Sequence, residues 1–317
     1  MNPQERISVQ IDRIIEETKG VKRFSLVPAY GTGPLPRFSG GSHITTFIES
    51  GNQLIARSYS LTNSPSERES YEIAISLSKT SQGGSKYWHE QVKKGDVLQI
   101  SHPRNHFPLS FKAKHHAFYA AGIGITPFLS MMAELKRDGP SFELHYVTKS
   151  CQDCPFYSYL METYPKETRF YFSEEKRLTG SSLWEHRIGT HVYFCGPSSF
   201  IEAFTNTALS IGYPASAIHF ERFTPPETLH SHAFIAEVSS GSIAVSEGET
   251  LLDALLAAGV DAPYSCRAGR CGTCEVNVLE GEILHGDSFL SEQEREEGRS
   301  ILTCVSRAKR ERIVIEL

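Results

Sequence analysis

The 317-residue sequence contains no long apolar run, and no stretch approaches the ~18–20 residues that a membrane-spanning helix needs. It begins MNPQERISVQIDRIIEE, without an apolar segment and a small-residue cleavage site, so we expect no secretory signal and a cytoplasmic protein. Internal repeats and low-complexity tracts are absent, and no histidine or acidic pair resembles a hydrolytic site. With 39% hydrophobic and 22% charged residues, the composition predicts a globular protein of two or three domains.

Positive charge is not in excess, since the net formal charge is −5, and nothing therefore indicates a nucleic-acid partner. The negative charge lies almost wholly in residues 232–317, where 8 Lys and Arg stand against 15 Asp and Glu. The first 231 residues have a net charge of +2. This asymmetry is typical of an acidic module that steers toward a basic partner, and equally of a well-solvated surface.

Four of the seven cysteines have the spacing C-x4-C-x2-C-x29-C, which is the pattern of plant-type [2Fe–2S] ligands. They are Cys266, Cys271, Cys274 and Cys304. Gly269 and Gly272 allow the backbone to wrap closely around a cluster. A zinc site usually combines two paired knuckles, and cytoplasmic disulfides are disfavoured. The spacing therefore predicts an iron–sulfur cluster.

Cys151 and Cys154 form a separate C-x2-C pair. Such a pair could be a redox couple or half of a zinc site. No second pair and no flanking histidines lie nearby in the sequence, which favours two loop thiols that follow a strand.

Hydrophobic periodicity and turn residues divide the chain into three blocks. Residues 1–111 carry short β-rich runs, among them Tyr59–Leu61, separated by turn sequences, which predict an antiparallel β-barrel. Residues 112–224 alternate strands and helices, with helices over 127–137 and 199–211, which predicts an α/β domain with a mostly parallel sheet. The Pro-rich polar segment at 225–231 is predicted to be a linker. Residues 232–317 begin with two strands and a helix over 251–258, which has Thr250 and Asp253 in capping-box spacing.

The sequence YAAGIGITPFLSM in the second block predicts a nucleotide site. Gly122 and Gly124 allow close approach of a pyrophosphate, and a helix that begins near Thr126 offers free N–H groups. A tight strand-to-helix turn would also explain the glycines. Three further residues follow a later strand and should lie at the same carboxyl edge of the sheet, where ligands bind in such folds: Cys195, Gly196 and Pro197.

Two stretches of the first block are suited to a flavin. In ARSYSLTN, Arg57 can pair with a phosphate or carbonyl, Tyr59 can lie against the ring, and Ser60 can hydrogen-bond near its N5 atom. In QGGSKYWH, a loop of Gly83, Gly84 and Ser85 suits a phosphate. Taken singly, these are also ordinary strand and turn residues.

Taken together, these motifs resemble the phthalate dioxygenase reductase family of flavin–iron–sulfur oxidoreductases, over essentially the whole chain. The matching motifs are RSYS (57–60), GGS (83–85), GIGITP (122–127), CGP (195–197), ERF (221–223) and the four cysteines. The stretches VKRFSLV, PLPRFSGGSH and GTHVYFCGP are most similar to the reductase components of carnitine monooxygenases. The resemblance implies an FMN barrel, an NAD(P)H domain and a β-grasp ferredoxin domain, in that order.

The resemblance also implies the role of each matched residue. FMN would be held by Arg57, Ser58, Tyr59, Ser60, Ala74, Ile75, Ser76, Gln82, Gly83, Gly84 and Ser85. NADH would be held by Gly122, Gly124, Thr126, Cys195, Gly196 and Pro197, with Ser60, Thr126 and Phe223 at the reacting rings. The family often has GGIG where this chain has Ala121 before Gly122, and the extra methyl should tighten the turn without abolishing binding. Lys149 could favour a 2′-phosphate, so NADPH is not excluded.

The implied activity is electron transfer from NADH through FMN and a [2Fe–2S] cluster to a Rieske-type terminal oxygenase, by a protein that is commonly a monomer. The oxygenated substrate would be carnitine, with other quaternary amines and aromatic acids such as phthalate or vanillate as alternatives. A stand-alone NAD(P)H:acceptor reductase would use the same modules. The intact flavin and nucleotide motifs argue against a third hypothesis, a non-catalytic iron–sulfur sensor.

Overall fold

The computed structural model describes residues 6–31, 33–50, 53–78, 83–223, 232–264, 267–287 and 289–317. The chain divides into two compact units, Met1–Glu221 and Arg222–Leu317. The predicted linker at 225–231 lies outside the described residues. Within the described ranges, no helix is long and apolar enough to cross a membrane.

The first unit opens with six antiparallel strands and one short helix. They are β1 (Ile7–Thr18), β2 (Val21–Pro28), β3 (His43–Ser50), β4 (Gln53–Ser60), β5 (Tyr71–Ser76), α1 (Gly84–Glu90) and β6 (Val97–Ile100). The sheet order is β4-β3-β6-β1-β2-β5, and a bridge between Leu61 and Ile73 joins its two ends. This closure makes the predicted barrel, because it leaves the sheet without a free edge at that point.

The barrel interior is filled by apolar side chains from alternate strand positions, as the pleat of a β-strand requires. Val9, Ile11, Phe24, Leu26 and Ile73 are all at most 1% exposed. Helix α1 contributes Trp88, which is fully buried and whose ring centroid lies 4.7 Å from that of Phe24. Burial of this tryptophan anchors α1 on the barrel.

The rest of the first unit is a five-stranded parallel sheet with helices. Its elements are β7 (His115–Ala121), α2 (Thr126–Asp138), β8 (Ser141–Thr148), α3 (Tyr157–Thr163), β9 (Thr168–Phe172), β10 (Thr190–Cys195), α4 (Ser198–Ser210) and β11 (Ile218–Glu221), with 3₁₀ turns at Gly122–Ile125, Gly180–Glu185 and Ala215–Ala217. The strand order is β11-β10-β7-β8-β9. The chain runs from β7 to β8 on one side and returns to β10 on the other, so the switch point lies between β7 and β10. Ligands bind at such switch points, at the carboxyl ends of the strands.

The barrel and the parallel sheet pack against each other through a common buried cluster. Val21, Ala74 and Phe107 from the barrel side pack in the same buried cluster as Ile125 and Phe128. Helix α2 is also tied to a barrel loop, since the Gly41 N–H donates to Ser130 Oγ at 3.0 Å. The two halves therefore fold as one unit, and strand β5 lies beside the 3₁₀ turn at Gly122–Ile125.

The second unit combines a mixed sheet with two short helices. Its elements are β12 (Phe234–Val238), β13 (Gly241–Val245), α5 (Leu251–Ala257), β14 (Glu275–Glu280), β15 (Ile283–Leu284), α6 (Glu292–Glu297), β16 (Ser300–Leu302), β17 (Arg307–Ala308) and β18 (Arg312–Glu316). The order is β13-β12-β18-β14-β16, with β12 and β18 parallel and the other pairs antiparallel. Leu251, Leu252 and Leu255 of α5 pack into the core that lies against this sheet. This is the β-grasp arrangement that the resemblance implies.

The predicted cap of α5 is confirmed. Thr250 is the N-cap residue, and its Oγ1 accepts a hydrogen bond from the Asp253 N–H at 3.0 Å. We expect Thr250→Ala to destabilise the protein by about 1 kcal/mol, because the first turn of α5 loses a bonded N–H. The midpoint of thermal unfolding of the second unit measures the effect.

Ser246→Ala is the control for that substitution, since Ser246 precedes the helix and forms no cap. Equal unfolding temperatures for Thr250→Ala and the wild type would contradict the prediction.

Candidate functional site

Strand β4 carries the RSYS motif along the barrel wall. Ser60 is buried, and Ser58 Oγ lies 3.1 Å from Thr45 Oγ1 of β3. Arg57 donates from Nη1 to the Ala56 carbonyl at 2.8 Å, and Tyr59 lies edge-on to Trp88 with ring centroids 6.0 Å apart. Burial raises the pKa of Tyr59 well above its ordinary value, although Arg57 partly opposes this. The phenol is therefore neutral at physiological pH and can donate a hydrogen bond.

The GGS segment lies against this strand. A Cβ on Gly84 would come within 2.9 Å of Arg57 Cγ, so the Arg57 side chain passes directly over the start of α1. Gly83 has a left-handed φ of +97°. The prediction of a loop is wrong for Gly84 and Ser85, which begin α1, because burial of Trp88 continues the turn into a helix. Gln82 lies outside the described residues.

Strand β5 completes this side of the barrel. Ala74 and Ile75 are buried, and the Ile75 carbonyl lies 2.9 Å from His89 Nε2 of α1. Helix α1 contacts both β4 and β5, so the structure brings together three predicted segments that are separate in sequence. Ser76, at the end of β5, is partly exposed. The assembled wall supplies a cationic side chain, a phenol and hydroxyls, which fit a phosphorylated flavin.

The two predicted nucleotide segments meet at the switch point of the parallel sheet. Gly122 and Gly124 follow β7, while Gly196 and Pro197 follow the adjacent strand β10. A Cβ on Gly124 would overlap the Cys195 carbonyl and lie 2.8 Å from the Gly196 nitrogen. The backbones therefore touch, and only glycine fits at position 124. Close backbone approach at a strand end is what a pyrophosphate site requires.

Ala121 stands on the other side of the same contact. A Cβ on Gly196 would lie 2.8 Å from the Ala121 Cβ. The methyl of Ala121 thus occupies the space beside Gly196. Its effect is steric, and it leaves the carboxyl edge of β7 intact.

Thr126 and Tyr146 fix the glycine turn. Thr126 is buried at the start of α2, and its Oγ1 donates to the Ile123 carbonyl at 3.0 Å. Tyr146 of β8 donates from its hydroxyl to the Gly122 carbonyl at 3.0 Å. Sequence analysis did not single out Tyr146, because an aromatic residue in a buried strand gives no signal of such a bond.

Two further predicted residues follow other strands of the same parallel sheet. Lys149 follows β8, and its Nζ lies 3.5 Å from Glu174 Oε1. The negative charge of Glu174 makes Lys149 less suited to binding a 2′-phosphate. Phe223 lies just beyond β11 and is 40% exposed.

The cysteine loop is assembled by strand pairing. Cys274 precedes β14 and Cys304 follows β16, and the register places Glu275 opposite Leu302. As a result, the Cys274 and Cys304 sulfurs lie 3.2 Å apart although 29 residues lie between them in the sequence. Both residues are 2% exposed, while Cys271 is partly exposed and Cys266 lies outside the described residues. The hydrogen bond between the two buried thiols lowers the pKa of Cys274 below its ordinary value.

The loop is held open by glycine at two positions. Gly269 and Gly272 both have φ of +69°. A Cβ on Gly269 would come within 2.9 Å of Asp287 Cα, and one on Gly272 would overlap the Phe289 ring. The described thiols therefore line a loop, here called the cysteine cradle, whose backbone packs closely against Asp287 and Phe289. This arrangement fits a thiolate-bound cluster.

Sequence analysis missed the residues that support the cradle. Arg267 donates to Asp253 Oδ1 of α5 at 2.7 Å. Asp287 accepts from the Leu290 N–H at 3.0 Å and from Ser306 Oγ at 3.2 Å. Burial opposes ionisation of Asp287, but the Leu290 N–H and the charge of Arg295 outweigh it, so its pKa lies below its ordinary value. An Asp or Arg near a cysteine motif is too common in sequences to predict these bonds.

The C-x2-C pair shows the character of loop thiols. Cys151 is exposed and Cys154 is buried. Burial raises the pKa of the Cys154 thiol to about 12, so it is protonated at neutral pH and is a poor nucleophile or metal ligand.

Comparison with known proteins agrees with this geometry. Residues 237–309 match the family model of the 2Fe-2S iron-sulfur cluster binding domain. The chain is 39% identical to the carnitine monooxygenase reductase subunit of Escherichia coli, with 100% of both chains covered. It is 36% identical to the vanillate O-demethylase oxidoreductase of Acinetobacter baylyi, over 98% of this chain and 99% of that protein.

Among solved structures, phthalate dioxygenase reductase superposes with a TM-score of 0.78 and 30% identity, with 100% of both chains covered. That structure is described as modular, for electron transfer from pyridine nucleotides to [2Fe-2S]. The fold and site thus define an iron–sulfur flavoprotein oxidoreductase. The chain belongs to the phthalate dioxygenase reductase family.

Proposed function

We propose that this protein is the reductase component of a two-component oxygenase system, and that it passes electrons from NADH through FMN and [2Fe–2S] to a Rieske-type terminal oxygenase. The observation that carries the proposal is the joint presence, in one chain, of the β4–α1–β5 wall, the β7–β10 switch point and the cysteine cradle. Full-length similarity to a carnitine monooxygenase reductase subunit favours carnitine or another quaternary amine as the substrate of the partner. The cytoplasm and a monomeric state are part of the proposal.

We assign three modules to the chain: the FMN barrel at 1–111, the NADH domain at 112–224 and the ferredoxin domain at 232–317, after a linker at 225–231. The FMN residues are those named above on β4, β5 and α1, together with Gln82. Arg57 would bind the phosphate or a ring carbonyl, and Ser60 would hydrogen-bond near the flavin N5 atom. Ser76 would contact the ring from β5.

The nucleotide is proposed to bind at the switch point. The backbone N–H groups at the start of the 3₁₀ turn Gly122–Ile125 would bind the pyrophosphate, and Cys195, Gly196 and Pro197 would form the facing wall. Thr126 would orient the nicotinamide, and Phe223 would lie near the ring. Because Lys149 is paired with Glu174, we propose NADH rather than NADPH as the electron donor.

The chemistry of hydride acceptance and single-electron release is supplied by the flavin and the cluster when they are bound. The protein's own residues hold these groups in place. Tyr59 and Ser60 present neutral donors, and the Gly124–Cys195 backbone contact fixes the nucleotide turn. Cys266, Cys271, Cys274 and Cys304 would supply the four thiolate ligands of the cluster.

Arg57 gives a direct test of the flavin assignment. We expect Arg57→Gln to weaken flavin binding by about 10- to 100-fold, since a hydrogen bond to a charged group contributes ~1.5–3 kcal/mol. The flavin affinity of Arg57→Lys should lie between those of the wild type and Arg57→Gln, because lysine keeps the positive charge but lacks the planar guanidinium group. Flavin content after gel filtration and flavin fluorescence titration measure the change.

Arg68→Gln is the matched control, since Arg68 is an exposed arginine of the same barrel. It should retain flavin as the wild type does. Wild-type flavin affinity in Arg57→Gln would overturn the assignment.

An anaerobic NADH titration, followed by visible absorption and electron paramagnetic resonance, tests the whole electron path. Bleaching of the flavin together with the signal of a reduced [2Fe–2S] cluster is the expected result. Flavin bleaching without a cluster signal would indicate that the protein is a flavin reductase only. No response to NADH, with a response to NADPH, would reverse the nucleotide assignment.

Vanillate demethylation is the second candidate system, because the similarity to a vanillate O-demethylase oxidoreductase is nearly as high and also full-length. Reconstitution with a carnitine oxygenase and, separately, with a vanillate oxygenase decides between the two. The proposed function requires faster product formation with the carnitine enzyme at equal NADH supply. Rapid cytochrome c reduction without support of either oxygenase would favour a stand-alone acceptor reductase.

A further inference from the structure

A carboxylate surrounded by imidazoles lies on the parallel sheet, away from the nucleotide turn. Glu143 Oε1 lies 2.8 Å from His186 Nδ1 and 3.5 Å from His115 Nε2, and Glu143 Oε2 lies 3.7 Å from His145 Nε2. We call these four residues the Glu143 cluster. They come from β7, from β8, and from the segment that follows the 3₁₀ turn Gly180–Glu185.

The second nitrogen of each imidazole faces a hydroxyl. His115 Nδ1 lies 2.8 Å from Ser141 Oγ, and His145 Nδ1 lies 3.0 Å from Tyr171 Oη. His186 Nε2 lies 2.7 Å from Tyr119 Oη. Metal-binding histidines usually have their outer nitrogen fixed in this way, because the outer hydrogen bond sets the ring orientation and the tautomer.

One nitrogen of the cluster lacks a hydrogen bond. The His145 side chain is fully buried, and among the described residues its Nε2 has no hydrogen-bond partner, since Glu143 Oε2 lies 3.7 Å away. A buried imidazole nitrogen without a partner is costly. It lies on the side of Glu143 Oε2, and an ion bound to that carboxylate would satisfy it.

We propose that the Glu143 cluster binds a divalent transition-metal ion of the zinc class, with Glu143, His145 and His186 as ligands and His115 as a fourth. The ligand atoms of Glu143, His145 and His186 all lie within 4.8 Å of one another. Ligands at ~2.1 Å from a tetrahedral zinc ion are separated by roughly 3.4 Å, and the carboxylate–imidazole distances in the cluster run from 2.8 to 3.7 Å. Imidazole and carboxylate are the donors that zinc takes in such sites.

Arg169 is the competing cation. Its Nη2 lies 3.5 Å from Glu143 Oε2, but its Nη1 also pairs with Glu185 Oε2 at 3.2 Å. Arg169 is half-exposed, so it can keep Glu185 as its partner when an ion takes the carboxylate. The arginine then limits the affinity without blocking the site.

The position of the cluster defines what the ion would do. His115 begins β7 and Gly122 follows its end, so they lie about 20 Å apart along the strand. The ion therefore stands outside the proposed electron path. It would tie β7 and β8 to the segment at His186, and its role is structural.

The test uses the holoenzyme equilibrated with Zn²⁺ and then dialysed, with zinc and iron measured by mass spectrometry. We expect one zinc per chain at unchanged iron content, and X-ray absorption with N/O ligands at ~2.0–2.1 Å and no sulfur shell at ~2.3 Å. His186→Gln should lose the ion. Tyr171→Phe keeps every ligand, and should bind zinc about 10- to 100-fold more weakly because His145 loses its outer hydrogen bond.

His191→Gln is the matched control, since it removes a histidine of the same sheet that pairs with His219 instead. Cys151→Ser controls for thiol binding. Both should retain zinc, and the retained flavin and cluster absorption of each variant reports correct folding. If His186→Gln fails to fold, His115→Gln replaces it, because His115 is the most exposed of the three imidazoles. No zinc in the wild type, equal zinc in the histidine variant, or a sulfur shell would overturn the proposal.

Discussion

In the Cys271→Ser variant, NADH should still reduce the flavin, while electron delivery to the oxygenase falls by more than ~100-fold, since outer-shell changes alone cost roughly 10- to 100-fold in metal affinity. A serine hydroxyl stays protonated at neutral pH, and the thiolate is the form that binds iron. Cys271 is the best choice among the described cluster cysteines because it is partly exposed. Cys274 and Cys304 are core residues, and their replacement would also disturb packing.

Stopped-flow absorption measures flavin reduction in this variant, and product formation by the reconstituted oxygenase measures delivery. Cys151→Ser is the control, since it removes an exposed thiol of the first unit. It should match the wild type in both assays. Undiminished oxygenase turnover in Cys271→Ser would refute the proposed order of electron transfer.

The second large effect is expected at Gly124. In Gly124→Ala, the new methyl overlaps the Cys195 carbonyl, which is backbone and cannot rotate away. Overpacking of this kind costs about 1–3 kcal/mol. The β7 and β10 turns must separate, so kcat/KM for NADH should fall by about 10- to 100-fold, since ~1.4 kcal/mol corresponds to a factor of ten. Flavin content should be unchanged.

Steady-state kinetics with varied NADH measure the loss of kcat/KM, and the thermal unfolding midpoint measures the loss of stability. Gly33→Ala is the matched control, because no atom lies within 4 Å of the Cβ it would add and its φ is not left-handed. It should leave both quantities at wild-type values. If Gly124→Ala behaved like Gly33→Ala, the contact between the two turns would not matter for nucleotide binding.

Element types followed well from the sequence where the periodicity was strong. The alternation of strands and helices in the second block corresponds to the parallel sheet, and helices α2 and α4 lie within a residue or two of their predicted bounds. Strand β4 was less well predicted, since only Tyr59–Leu61 were expected to be extended whereas the strand covers Gln53–Ser60. The polar residues of β4 hide the alternation of apolar and polar residues that indicates a strand. The length of β4 is set by its pairing with β3.

Short elements that depend on distant partners could not be predicted. Helix α1 exists because Trp88 is buried in the barrel, and β16 exists because it pairs with β14. Helix α6 has a capping box between Ser291 and Glu294, but no residue of the helix is buried. Without an apolar face it gives no helical periodicity.

The sequence by itself determined the module order, the cysteine spacing and the glycine-rich turn, because these depend on residue type and on short separations along the chain. Only the tertiary structure decided which of these segments meet. Strand register brings the Cys274 and Cys304 sulfurs together, and sheet order sets Gly124 against Cys195. The Glu143 cluster joins residues 115, 143, 145 and 186, whose spacing in sequence gives no signal. Contacts between distant segments arise from packing and strand pairing, which local sequence patterns do not encode.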